Sequence, residues 1–204
     1  MKKIIKNTFI LTVITLVAGV LLGLVYEITK EPIKIAKEEI KSNAYRAVMK
    51  EAEMFEEYNE FDTKKASKVL SEEKIPGCVV NEVVEAKKGS DVIGYVITVT
   101  TSEGYGGDIQ ISVGILADGN VQGVEILSIG ETAGLGMNAN TPGFKKQYVD
   151  KKVESFVVTK TGASAENEIE AISGATITSK AVTNAVNAAV VYFNSIVGGG
   201  SGNE

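Results

Sequence analysis

From Thr8 to Tyr26 the chain reads TFILTVITLVAGVLLGLVY, 19 residues without a charge. As a helix such a run is roughly 28 Å long, close to the ~30 Å hydrocarbon core of a bilayer. No other feature restricts the chain as strongly, since a run of this kind either spans a membrane, serves as an export signal or must be buried. Lys2, Lys3 and Lys6 precede it, as they would precede a signal peptide. The run is longer than the usual apolar region of about 7–15 residues, however, and GLVYEITKE offers no small-x-small cleavage site. The sequence therefore predicts an uncleaved single-pass anchor over residues 1–26, with a cleaved signal as the rival. The lysines do not fix its direction, because Lys30, Lys34, Lys37 and Lys41 lie on the other side and acidic residues count little. A short basic head before a large domain resembles a signal anchor, so the expected topology is N-terminus cytoplasmic and domain extracytoplasmic in the cell membrane.

Composition removes several functions. With three of the 21 basic residues ahead of the apolar run, the remainder of the chain is acidic, against 26 Asp and Glu, which argues against a nucleic-acid partner. Histidine is absent and Cys78 is the single cysteine, so an intrachain disulfide, an iron–sulfur cluster and the usual zinc, haem and iron sites have no ligand set. No metal site is expected. Redox chemistry in this chain would need an organic cofactor.

Past the anchor, Pro32 suits the first turn of a helix, and Ile33, Ile40, Ala44, Ala47, Val48 and Phe55 mark an apolar stripe, giving a juxtamembrane helix over 27–58. Residues 59–75 read as a loop with a short helical turn. Strands are expected at 79–86 and 92–101, joined as a hairpin by KKGSD, and again at 109–115 and 121–129 around Asp118-Gly119. With no helix between these strands, the fold class is α+β: a transmembrane helix, then one domain with a twisted antiparallel sheet packed by helices. The glycine-rich stretch 130–144 reads as an ordered loop, a short strand is expected within 151–160, and TGASAENEIE reads as an exposed loop. Ala181, Val182, Ala185, Val186, Ala189, Val190 and Phe193 form one face of a terminal helix, and 198–204 reads as a flexible tail.

Directly before that helix stands S173-G-A-T-I-T-S179. Thr176, Thr178 or Ser179 can cap the helix. The same unpaired amides and the helix dipole can hold a phosphate. A threonine hydroxyl placed there can also be esterified to that phosphate. A serine hydrolase is disfavoured, because no histidine can activate a hydroxyl and the spacing is not GxSxG. SEGYGGD at 102–108 is neither GxGxxG nor a P-loop, and Glu131 has no second acid to make a glycosidase pair.

Taken together, SGATITS, EGYGGDIQISVGI and ETAGLG resemble the FMN-binding domain of the G subunit of the Rnf electron-transport complex and of the related C subunit of sodium-translocating NADH:quinone oxidoreductase. The resemblance covers nearly the whole chain and is strongest from Tyr95 to Val191. It implies FMN joined through its phosphate to Thr176 by a flavin transferase after export, with Ser173, Gly174 and Ala175 around the attachment and Thr178 and Ser179 near the phosphate. Tyr105, Gly106 and Gly107 match a glycine–aromatic element. Glu131, Thr132, Gly134, Leu135 and Gly136 match a loop beside the isoalloxazine, with Ala133 where the family usually has proline. On this footing 59–197 is an FMN-binding domain, with membrane lipid and the other subunits of the complex as partners. The chain is expected to be a covalently flavinylated electron carrier in a ferredoxin:NAD oxidoreductase coupled to sodium or proton translocation, with no independent turnover. The corresponding subunit of the quinone-reducing complex, an isolated exterior flavodomain and a membrane-tethered assembly module are the alternatives.

Overall fold

The computed structural model describes residues 1–198 and divides the chain into two units, Met1–Ser42 and Asn43–Glu204. The tail expected at 198–204 lies, from 199 on, outside the described residues.

The first unit is helical from Lys2 on, as the greater part of α1, Lys2–Val48. Anchor and juxtamembrane helix are one continuous element rather than two. Pro32 lies inside it instead of starting a new helix. The apolar run ahead of Pro32 already supplies the preceding turns, so the proline costs one hydrogen bond at the Ile28 carbonyl without ending the helix. In unit 1 the apolar side chains are exposed, Phe9 at 69% and Leu22 at 71% among them. Among the described residues this is the one helix long and apolar enough to cross a membrane.

The second unit begins with the last turn of α1. The juxtamembrane helix expected to reach 58 stops at Val48, and Met54–Glu57 is instead strand β1, hydrogen-bonded antiparallel to Val84–Lys87. Residues 59–75, read as a loop with a short helical turn, hold a ten-residue helix, α2 (Thr63–Glu72). Asp62 caps it by accepting the Lys64 N–H at 2.7 Å, and Ala66 and Leu70, one turn apart, are its buried positions. The four long strands come next as expected: β2 (Cys78–Lys88), β3 (Asp91–Thr101), β4 (Ile109–Leu116) and β5 (Val121–Ile129). They extend β1 into a five-stranded antiparallel meander in chain order.

Alternation along the strands gives the sheet two faces. One carries Ile97, Val99, Ile111 and Val113, which pack with Ala181, Val182, Ala185 and Val186 of the last helix, α4 (Thr176–Gly198). Small residues on α4 let the helix lie close to the sheet, and each fully buried valine or isoleucine contributes about 1.5–3 kcal/mol. On the other face Tyr45, Val48 and Met49 pack against Val84, Ala86 and Val96. Gly114 belongs to this face, and a Cβ there would lie 2.9 Å from the Val48 carbonyl carbon and 3.0 Å from Met49 Cγ.

Between β5 and α4 the chain is mostly irregular, with a short helix α3 (Pro142–Lys145) and two short strands, β6 (Val157–Thr159) and β7 (Glu168–Glu170). These two pair in parallel. TGASAENEIE is therefore not wholly an exposed loop: Ile169 is fully buried. The Glu168 carboxylate accepts the Ser164 and Ala165 amides and the Ser164 hydroxyl, which holds it below the usual carboxylate range.

Candidate functional site

Three glycine-containing segments meet at the N-terminal end of α4: the β3–β4 turn, the loop after β5 and the turn 173–175. Each is held in place by a polar contact. The turn ahead of α4 depends on Ser179, whose buried hydroxyl accepts the Ile172 N–H at 2.9 Å and donates to the Ala175 carbonyl at 2.9 Å. Its hydrogen bonds thus fasten the turn to the first helical turn. Gly174 takes φ +75°, a left-handed conformation suited to glycine. A Cβ there would lie 3.1 Å from Leu135 Cδ2, so the glycine also lets the turn meet the loop after β5.

The first backbone bond of α4 is Ser179 N–H to Ala175 carbonyl, 3.0 Å. Helix geometry leaves the amides of Thr176, Ile177 and Thr178 ahead of it without an intrahelical acceptor. Among the described residues neither the Thr176 nor the Thr178 hydroxyl has a hydrogen-bond partner. Thr176 is half-buried, whereas Thr178 is 1% exposed.

The β3–β4 turn is fixed from two sides. Glu103 accepts a 2.6 Å hydrogen bond from Asn184 Nδ2 on α4, and the Tyr105 N–H donates to Glu131 Oε1 at 2.7 Å. Gly106 packs on the backbone of Gly130 and Glu131, where a Cβ would lie 3.2 Å from the Glu131 Cα. Gly107 has φ +129°. Tyr105 is left 75% exposed.

After β5, Glu131 is only 8% exposed. The loop then turns on hydrogen bonds from the Leu135 and Met137 amides to the Thr132 carbonyl, 3.1 and 3.2 Å, with Gly134 at φ +77°. Gly136 lies where a Cβ would come within 2.7 Å of both Glu131 Oε2 and Thr178 Oγ1. A side chain there would meet both, so the glycine leaves room for the carboxylate and the hydroxyl.

These segments enclose an open cleft of about 470 Å³. Tyr105 comes from the first; Glu131, Thr132, Leu135 and Gly136 from the second; Gly174, Ala175, Thr176 and Thr178 from the third and α4. Nine residues singled out in the sequence therefore line one space. Gly106, Gly107, Gly134, Ser173 and Ser179 are outside the lining. Apart from Ser173, they shape or fasten the segments behind it. Two contributors escaped the sequence reading. Ile177, 54% exposed, adds an apolar wall that its place between two threonines obscured. The Glu103–Asn184 tie joins residues 81 apart and has no local signal.

The cleft has a volume within the ~300–1,000 Å³ range of cofactor sites. Its walls are Tyr105, Leu135 and Ile177, and its polar end is three helix amides with two hydroxyls. No lysine or arginine lines it among the described residues. A flat aromatic ligand with an anionic end suits these residues, the anion being held by amides and dipole. Cys78 does not compete as an attachment point: burial pushes its thiol up to about 11, so it stays protonated at neutral pH.

Comparison with known proteins gives the chain its relatives. Residues 104–191 match the FMN-binding domain family and residues 1–48 match the RnfG N-terminal region. The chain is 35% identical over 190 residues to the G subunit of the proton-translocating ferredoxin:NAD(+) oxidoreductase complex of Clostridium ljungdahlii, covering 93% of this chain and 91% of the relative. It is 36% identical over 196 residues to the G subunit of the Na(+)-translocating ferredoxin:NAD(+) oxidoreductase complex of Acetobacterium woodii, covering 95% and 93%. Among solved structures, the C subunit of the Na(+)-translocating NADH-quinone reductase of Parabacteroides distasonis matches with TM-score 0.51 and 23% identity over 76% of this chain and 82% of that one, a likeness of fold.

Proposed function

Because the chain belongs to the G-subunit family of ion-translocating oxidoreductase complexes, we propose that it is the covalently flavinylated electron carrier of an Rnf-type ferredoxin:NAD oxidoreductase, with FMN esterified through its phosphate to Thr176. The observation that carries the reading is the half-buried Thr176 hydroxyl, unpartnered among the described residues, at the N-terminus of α4 in a cleft without a basic lining residue. Amides and a helix dipole can by themselves hold a phosphate reversibly. Here the chain offers amides, a dipole and an esterifiable hydroxyl, which together hold an anion once a covalent bond keeps it from leaving.

FMN, when bound, supplies the capacity to take up and release electrons, and the polypeptide supplies position and electrostatics. Thr176 tethers. The Ile177 and Thr178 amides and the Thr178 hydroxyl face the developing and final phosphate charge, while Leu135, Ile177 and Tyr105 provide apolar surface for a ring. In forming the ester, Thr176 Oγ1 gains a bond to phosphorus and loses its proton. A flavin transferase would supply the activated flavin phosphoryl donor and release its other substituent. The remaining subunits would hold the ferredoxin and nicotinamide sites and carry sodium or proton movement. The ferredoxin-linked complex is preferred over the quinone-reducing one because the relatives at 35% and 36% identity bear that name.

The test is direct. Full-length protein coexpressed with a flavin transferase should, after denaturation, keep yellow fluorescence and an FMN-sized mass on the peptide containing Thr176. Thr176→Ala should abolish the addition and Thr178→Ala should retain it. An unchanged modification in Thr176→Ala would sink the assignment.

A further inference from the structure

We propose that Glu131 is the residue that sets the reduction potential of the cleft, its carboxylate acting as a nearly buried negative charge that opposes electron uptake by the group held there. The inference rests on the flavin reading above. Three observations carry it. Glu131 is only 8% exposed and is the one Asp or Glu in the lining, with no lysine or arginine there among the described residues. Its Oε1 is committed to the Tyr105 N–H at 2.7 Å, whereas its Oε2 has no partner among the described residues and lies, like Thr178 Oγ1, 2.7 Å from where a Cβ of Gly136 would be. Glu131 also lines the cleft of about 470 Å³ together with Thr176, so an occupant joined to Thr176 shares its space with this side chain.

The opposing influence is the end of α4, equivalent to about half a positive charge. A phosphodiester on Thr176 carries a full negative charge and more than offsets it. That end is then left with about half a negative charge, and Glu131 adds the one full charge among the lining residues that a substitution can remove. Uptake of one electron without a proton adds one negative charge to the cleft, and at an effective dielectric of about 20 a like charge within about 10 Å disfavours it roughly tenfold.

Glu131 is also a positioning residue, because its other oxygen anchors the Tyr105 backbone. The two roles separate by substitution. Glu131→Gln keeps an acceptor for the Tyr105 N–H and removes the charge, and Glu131→Asp keeps the charge on a shorter arm.

Full-length, flavinylated protein in detergent would be titrated by spectroelectrochemistry, with circular dichroism reporting the fold and peptide mass the site of modification. Glu131→Gln should move the midpoint to more positive values, with the one-electron equilibrium raised roughly tenfold, about 59 mV. Glu131→Asp should stay near wild type. If Glu131→Gln does not fold, Glu131→Met, which leaves no buried amide to satisfy, should shift the same way. Unchanged midpoints in the neutral variants would overturn the proposal. So would loss of fold in both, since the carboxylate would then be a requirement of the fold. Wild-type protein lacking flavin on Thr176 would instead defeat the flavin reading itself, which keeps the two failures apart.

Discussion

Gly136 shows how much of the site depends on a single missing methyl group. A Cβ there would lie 2.7 Å from Glu131 Oε2, 2.7 Å from Thr178 Oγ1 and 2.8 Å from Glu131 Cβ, so no single flexible tip can move aside to admit it. Gly136→Ala is expected to cost about 1–3 kcal/mol by overpacking and to lower flavin incorporation, measured by urea unfolding and by flavin per chain. Gly134 makes the control. It has φ +77° with nothing within 4 Å of an added methyl, so Gly134→Ala should cost about 1 kcal/mol of backbone strain and leave incorporation near wild type. Equal incorporation in the two variants would contradict the assigned role of Gly136. At this scale the sequence was informative where chemistry is local: the hydroxyls of SGATITS and the glycines of the two other segments stood out by residue type, whereas Glu131 came only with the family resemblance. Ser179 was less legible. As a candidate for cap or phosphate support it could not be told from Thr178, yet its hydroxyl is occupied by Ile172 and Ala175 and serves the turn.

Among elements, β2 to β5 were readable because strict alternation and turn residues are local signals. The helix expected to 58, and the short extent given to the helical turn within 59–75, failed for a common reason: both depend on partners distant in sequence. Met54–Glu57 is strand because the edge of β2 at Val84–Lys87 takes its hydrogen bonds, and α2 is helix because Ala66 and Leu70 are buried in the domain core. Likewise β7 is visible only once Val157–Thr159 lies beside it. The last turn of α1 is held by a similarly long-range fit, in which β4 carries a glycine beneath Val48. A Cβ at Gly114 would meet Val48 backbone, 2.9 Å from its carbonyl carbon, and Met49 Cγ at 3.0 Å. Gly114→Ala should therefore lower the stability of the second unit by about 1–3 kcal/mol in denaturant unfolding. Gly19→Ala, with nothing within 4 Å, should leave that transition unchanged. A Gly114→Ala midpoint equal to wild type would mean that the Val48 segment is not packed on the sheet.

For the whole molecule, the anchor and the cleft impose different demands on topology. A 47-residue helix is roughly 70 Å long, more than twice the hydrocarbon thickness, so α1 has ample length for one crossing through its uncharged part. Lysines on both sides leave direction to the balance between a short basic head and the large domain after it. A cofactor held by a covalent bond is most useful where a lost one could not be replaced from the cell interior, which favours the domain outside. In a Cys78→Ser background, Lys160→Cys places a thiol at an exposed position and Asn7→Cys places one ahead of the uncharged run. In intact cells a membrane-impermeant maleimide should label Lys160→Cys and not Asn7→Cys, with lysis exposing the latter. The reverse pattern would put the domain in the cytoplasm and require the flavin transferase to act there. Labelling at both positions in intact cells would remove the membrane crossing itself, and α1 would then have to be covered in some other way.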